Sequence, residues 1–183
     1  RCTFRKHFFQ RLPKLKAYFE QAANETGIDW KLLAAIGYQE SHWKTNAVSP
    51  TGVRGIMMLT QATAKQLGIR NRSNPHQSID GGARYFKIRK KSILPDILEP
   101  DRTWMALAAY NVGPGHLEDA RVLAAMRGED PDRWIVVKET LPLLSQRRWY
   151  RKTKHGYARG REPVRYVNNI RNYYALMVWL TSS

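Results

Sequence analysis

Trp30-Lys31-Leu32-Leu33-Ala34-Ala35-Ile36-Gly37-Tyr38-Gln39-Glu40-Ser41-His42-Trp43 reads as a helix, apolar on nearly all sides, that ends in one carboxylate and runs into a polar loop. A helix apolar all round belongs in the centre of a core. Leu33 and Ile36 stand seven and four residues before Glu40, so on a helix they share its face and carry an apolar stripe up to the carboxylate. Partial burial disfavours the charged form of a carboxyl group and raises its pKa. That keeps a glutamic acid protonated near neutral pH and fit for general-acid work. The plain alternative is a solvated Glu at a helix end. Gly37 costs about 1 kcal/mol of helix stability relative to Ala, so its place here predicts close packing by a neighbour or a ligand.

Working outward, Asp29 is placed to cap this helix and Gly27 to stop the preceding one, expected over residues 12–26. After it, Pro50, Gly52 and Gly55 break regular structure over residues 46–55, which predicts tight turns or a short hairpin beside the Glu40 end of the helix. Thr60 caps a short helix that stops at Gly68, and residues 71–76 read as a polar loop. Further helices are expected over residues 79–93, from Asp101 or Thr103 to Ala109, over 117–126 and 133–144, and finally over 163–180. Strand signals are few. The predicted fold class is mainly α, one domain spanning residues 1–183, with at most a small β-hairpin near the active-site cleft.

The 183 residues suffice for a real core, and 31 Lys and Arg against 15 Asp and Glu leave a net charge of +16. So basic a chain calls for an anionic partner: nucleic acid, an acidic membrane surface or a polyanionic wall polymer. Cys2 is the one cysteine, so no internal disulfide is possible. No apolar run reaches the roughly eighteen residues of a membrane span, and no signal peptide is present. Starting at Arg1 rather than Met, the chain reads as a piece of something longer. The five histidines, His7, His42, His76, His116 and His155, have no ligand spacing, and no metal or other cofactor is expected.

No Asp or Glu lies between Glu40 and Asp80. Most glycosidases need two carboxylates, so a lone one points to a nucleophile supplied from elsewhere, the substrate being the obvious source. Four signatures follow in order. They are Glu40-Ser41 at a helix end; Asn46-Ala47-x-Ser49-Pro50-x-Gly52 followed by Gly55-Ile56-Met57-Met58-Leu59; Ala109-Tyr110-Asn111-x-Gly113; and Tyr166-Val167 before a terminal helix. In these, over about residues 30–170, the chain resembles the soluble-lytic-transglycosylase-like enzymes of the lysozyme superfamily. One departure is Met58, where the usual pattern has Gln, so a sugar-binding amide is replaced by a thioether, as in one branch of the family.

The resemblance implies a lysozyme-like fold and cleavage of the β-1,4 bond between N-acetylmuramic acid and N-acetylglucosamine. Glu40 would protonate the glycosidic oxygen, then act as base on the muramyl 6-hydroxyl, which closes a 1,6-anhydro ring without water. It implies substrate contacts by Ser49, Met57, Met58, Tyr110, Asn111 and Tyr166, the last reaching the catalytic carboxylate through its hydroxyl. Read without it, Ser49 is a turn former before Pro50, the tyrosines and Asn111 are packing residues, and both methionines are core. The partner implied is peptidoglycan with its stem peptides, not nucleic acid. The place implied is the periplasmic face of a Gram-negative outer membrane, reached through parts outside this chain, among them an N-terminal solute-binding-like domain. Rival readings are a goose-type lysozyme, in which water is the nucleophile, and a non-catalytic basic module for wall polymer or nucleic acid. Residues 147–161, basic and aromatic, suit either stem-peptide carboxylates or plain solvent.

Overall fold

Helices account for most of the chain in a computed structural model that describes residues 2–182; no strand occurs among them. The described residues fall into two compact units, 2–87 with 169–182, and 88–168. In the first, α1 (Cys2–Gln10), α2 (Lys16–Thr26), α3 (Trp30–Ser41), α4 (Gln61–Gln66) and most of α5 (Pro75–Ser92) surround a core in which Phe19, Leu33, Ile36, Ile56, Ile79 and Phe86 are fully buried. The second holds α6 (Asp101–Val112), α7 (Pro114–Met126), α8 (Trp134–Thr140), α9 (Arg147–Tyr150) and the start of α10 (Arg161–Thr181), whose residues from 169 onward belong to the first.

The caps read from the sequence are in place. Asp29 accepts from the Lys31 N–H at 2.9 Å, Gly27 closes α2 in the left-handed region at φ 75°, and Thr60 accepts from the Thr63 N–H at 3.0 Å. Asp29 also accepts from the Tyr174 hydroxyl at 2.6 Å, and that bond, with burial, pushes the phenol up to about 12.

Several boundaries differ from the expectation. Helix α1 was not expected at all. Pro13 breaks the helix expected over 12–26 into a 3-10 turn, Leu12–Lys14, and α2. The loop expected over 71–76 is partly helix, because Asn74 accepts from the Gln77 N–H at 3.0 Å and Pro75 supplies the first helical residue. Pro142 ends α8 at Thr140 and leaves a 3-10 turn, Leu141–Ser145. In place of a hairpin there are two isolated antiparallel bridges, Val48 with Arg54 and Arg54 with Leu59.

A polar cluster gathers around Tyr38 of α3, in which His7 and Tyr38 are buried and His42 is exposed. The His7 Nδ1 and the Tyr38 hydroxyl are 2.9 Å apart, and the Tyr38 and His42 rings stack at 4.8 Å. Burial first, then the charge of Arg11, pushes the His7 imidazole down; burial, Lys44 and Arg11 do the same to His42. Each histidine therefore takes up a proton more readily unfolded than folded. Their stabilising effect is complete above about pH 6.5 and is lost as the pH falls through that value toward the lower folded one. The melting temperature is expected to drop between pH 7.5 and 5.5 in scanning calorimetry, and to drop less in His7→Gln. An equal fall in both proteins would contradict this linkage.

Candidate functional site

Glu40 is half-buried in the last turn of α3, beyond Leu33, Ile36 and Gly37, which present no appreciable surface to solvent. The chain leaves α3 abruptly. His42 and Trp43, neither of them glycine, both take positive φ, 52° and 60°. Single left-handed residues of this kind cost about 1–2 kcal/mol each, and here they are held from several sides. The Trp43 indole N–H donates to the Ala34 carbonyl at 2.9 Å, and Arg11 donates to the His42 carbonyl at 2.9 Å. The Ser41 hydroxyl donates to the Gly37 carbonyl at 3.0 Å, and the Trp43 ring, 2% exposed, lies edge-on to Tyr38.

The loop after it is closed by its own backbone. Ser49 N–H donates to the Val53 carbonyl at 3.0 Å, Gly55 N–H to Ala47 at 2.9 Å, and Arg54 and Leu59 exchange bonds at 3.1 and 3.0 Å. Ser49 Oγ accepts from the Thr51 and Val53 N–H groups, both at 3.2 Å, and lies 2.9 Å from Thr51 Oγ1. The serine oxygen accepts from two backbone N–H groups and shares a hydroxyl–hydroxyl bond with the exposed Thr51. Ser49 thus builds the turn together with Thr51, which the sequence reading passed over.

Arg72 was missed as well. It donates to the Gly52 carbonyl at 2.9 Å and the Leu59 carbonyl at 3.0 Å, stapling the loop from outside. An Arg in a polar stretch carries no signal of such a role. Its own carbonyl lies against Gly55, φ 87°, where a Cβ would collide with it.

Met57 and Met58, adjacent in sequence, part company. Met58 is half-buried at φ 50°. Met57 is fully buried: its N–H donates to Ser78 Oγ at 3.0 Å, and its side chain fills the space left by two glycines. A Cβ on Gly37 would lie 3.4 Å from the Met57 sulfur and 3.0 Å from Phe19; one on Gly82 would lie 2.5 Å from Met57 Cγ. The close packing expected at Gly37 comes first from Phe19, then from Ile56 at 3.2 Å, with the Met57 sulfur in ordinary contact, and Met57 has no side-chain surface for a sugar. By the Ile56 and Met57 contacts the loop is set against α3 at the turn that precedes Glu40.

The remaining acids of this unit have other tasks or positions. Asp29 caps α3, Asp80 pairs with Arg84 at 2.9 Å, Glu25 accepts from Gln21, and Glu20 is exposed on α2. In the second unit Tyr110, half-buried, and Tyr166, 5% exposed, place their rings nearly parallel, 6.4 Å apart, with Asn111 exposed beside Tyr110 in sequence. Among the described residues no three His, Cys, Asp or Glu side chains gather closely enough to hold a metal. Nor is any helix long and apolar enough to cross a membrane.

Comparison with known proteins agrees with the geometry. The family model described as the transglycosylase SLT domain matches residues 17–131. The membrane-bound lytic murein transglycosylase F of Hahella chejuensis is 62% identical over 98% of this chain and 35% of its own length. The corresponding protein F 1 of Alkalilimnicola ehrlichii is 63% identical over 98% and 36%, and that of Pseudomonas putida strain W619 is 58% identical over 98% and 37%. The chain thus spans little more than a third of these curated relatives. Among solved structures, the 70 kDa soluble lytic transglycosylase of Escherichia coli superposes with a TM-score of 0.66 at 22% identity, over 90% of this chain and 24% of that one. An inactive mutant of lytic transglycosylase Slt from Pseudomonas aeruginosa gives 0.63 at 23%, over 91% and 24%. At that identity the likeness shows the fold: the mainly helical, lysozyme-like one expected.

The contact of Met57 with Gly82 generates a test. Gly82→Ala should cost about 1–3 kcal/mol by overpacking, and Met57→Ala about 2–5 kcal/mol through its cavity. In the double variant the new methyl occupies vacated space, so the cost should fall at least about 1 kcal/mol short of the sum. Urea midpoints measure all three; strict additivity would refute the contact.

Proposed function

Since the chain belongs to the transglycosylase SLT domain family, we propose that it is the catalytic part of a peptidoglycan lytic transglycosylase in which Glu40 serves as both acid and base. The observation that carries the reading is the half-buried Glu40 at the end of an apolar helix, immediately before a turn with two positive φ values. In its protonated form that carboxyl can give its proton to the glycosidic oxygen as the bond to the muramyl C1 breaks. The carboxylate left behind then takes the proton of the same sugar's 6-hydroxyl, whose oxygen bonds to C1. Atoms balance without water: one glycosidic bond is lost, one intramolecular ether is gained, and Glu40 ends protonated as it began.

An internal hydroxyl needs no second carboxylate to activate it, because its effective concentration is already large. Acid and base work by Glu40 supplies roughly 10² to 10⁴-fold of the rate. The rigid loop carries the next contacts: Ser49 by shaping the turn, and Met58 by a thioether against sugar. Met57 supports that loop from the core. Sugar contacts by Tyr110, Asn111 and Tyr166 belong to the same proposal, as does a place in the Gram-negative envelope, at the periplasmic face of the outer membrane. The relatives' description as membrane-bound supports that location. A solute-binding-like domain would occupy part of the relatives' length that this chain does not span.

Digestion of purified sacculi tests the reading. Released muropeptides should be lighter by one water than hydrolysis products, and Glu40→Gln should lower the rate by at least about 10²-fold while leaving sacculus binding intact. Ordinary reducing muramyl ends, or full activity without the carboxylate, would overturn it.

A further inference from the structure

The run over residues 147–161 takes no part in that chemistry, although it is the most basic part of the chain. It holds seven Arg and Lys residues, and no acid lies between Glu139 and Glu162. Arg159 pairs with Glu162 at 3.7 Å, while Arg147, Arg148, Arg151, Lys152 and Lys154 are exposed.

At its centre stands Trp149. Lys152 Nζ lies 5.2 Å from the indole ring centre, the Arg148 guanidinium 5.7 Å and the Arg127 guanidinium 5.8 Å. Each gains a little from the ring's negative face, but three cations around one ring repel one another. Among the described residues, Arg127 alone of the three has an acid close by, Glu129 at 3.4 Å. A second cost sits in the same place: the Trp149 Nε1–H is shielded from solvent and has no hydrogen-bond partner among the described residues. A buried donor left without an acceptor costs about 1–3 kcal/mol, and such a group calls for an explanation in terms of a missing partner.

The frame around it is fixed. The His155 N–H donates to the buried Asp119 at 2.9 Å, Ala158 N–H donates to the Leu144 carbonyl at 3.1 Å, and Gly160 lies so close to the Leu141 carbonyl that no side chain would fit.

One kind of ligand relieves both costs, an anion that accepts from the indole and sits among the cations. We propose that Trp149, Arg148 and Lys152 form a site for a carboxylate-bearing peptide, the stem peptide of the wall polymer, a choice of ligand that rests on the function proposed above. The planar fork of Arg148 matches a carboxylate's two oxygens. A bilayer surface is disfavoured because only Tyr157 of the run's aromatic residues stands well exposed, at 55%, too little apolar surface to insert.

Binding is measured without turnover, so it stands apart from the fate of Glu40. The probes are a synthetic peptide with two free carboxylates and the same peptide fully amidated, added to the wild-type chain and to Glu40→Gln. The diacid should bind at least tenfold more tightly in both, and should shift the indole N–H resonance identified by its absence in Trp149→Phe. Arg148→Gln with Lys152→Gln, both at exposed positions, should abolish the difference between the two peptides at an unchanged melting temperature. Equal binding of the two peptides, an unmoved Trp149 resonance, or tighter binding of anionic vesicles or single-stranded DNA at the same residues would overturn the proposal. The wild-type comparison decides even if the double variant fails to fold.

Discussion

The first unit depends on one close approach, Met57 seated against Gly82 of α5, while Gly37 of α3 makes room first for Phe19 and Ile56 and then for the Met57 sulfur. A Cβ at Gly82 would meet Met57 at 2.5 Å and one at Gly37 would meet Phe19 at 3.0 Å and Ile56 at 3.2 Å, so neither helix accepts a side chain at this point without the neighbours giving way. Glycine in mid-helix sacrifices about 1 kcal/mol of helix stability relative to Ala. Burying an entire Met side chain returns about 1.5–3 kcal/mol, and it fixes the loop against α3 one turn before Glu40. A flexible thioether suits a slot bounded by backbone on two sides, since its rotors adapt to an irregular space.

Backbone strain gathers around that approach. Among the described residues, His42, Trp43 and Met58 are the non-glycine residues with positive φ, and all three flank either Glu40 or the loop after it, with Gly52 and Gly55 between. Left-handed residues persist where surroundings over-determine them, and they concentrate at functional sites. Here the restraints are specific: an indole N–H on Ala34, one guanidinium on His42, another on Gly52 and Leu59. Under the function proposed above, rigid placement of the turn would matter because a carboxyl that gives and then takes a proton must hold its geometry through both steps.

Much of this was legible, and what was not has physical reasons. The α3 stripe, the caps at Asp29, Gly27 and Thr60, and the crowding at Gly37 are local rules of pattern and sterics, and each was read from neighbouring residues. Helix α1 has no such warrant, since its Phe4 and His7 are buried by tertiary contacts, Phe4 against Tyr38, Trp43 and Tyr173. The early start of α5 was written in Asn74-Pro75 but hidden by polar composition. Ser49 was read for its possible ligand, while its two acceptor bonds to backbone and its bond to Thr51 show that it also builds the turn. Arg72 and the core position of Met57 depend on partners far along the chain, which periodicity does not encode.

Charge and chemistry are spread unevenly over the sequence, and that bears on how each can work. Residues 147–161 carry seven of the cations, in a unit separate from the one that holds Glu40. At physiological salt an exposed charge acts over a Debye length of about 8 Å, so such a run governs encounter and retention of an anionic polymer more than the barrier to bond cleavage. Under the function proposed above, the barrier would answer to the setting of Glu40, half-buried at the end of an apolar helix and followed by a strained turn. A catalytic carboxyl that must be neutral at the outset gains nothing from nearby cations, which would favour its charged form. Retention by a basic surface and proton transfer by a shielded acid therefore make opposite electrostatic demands, and a chain that meets both has to keep them on different segments.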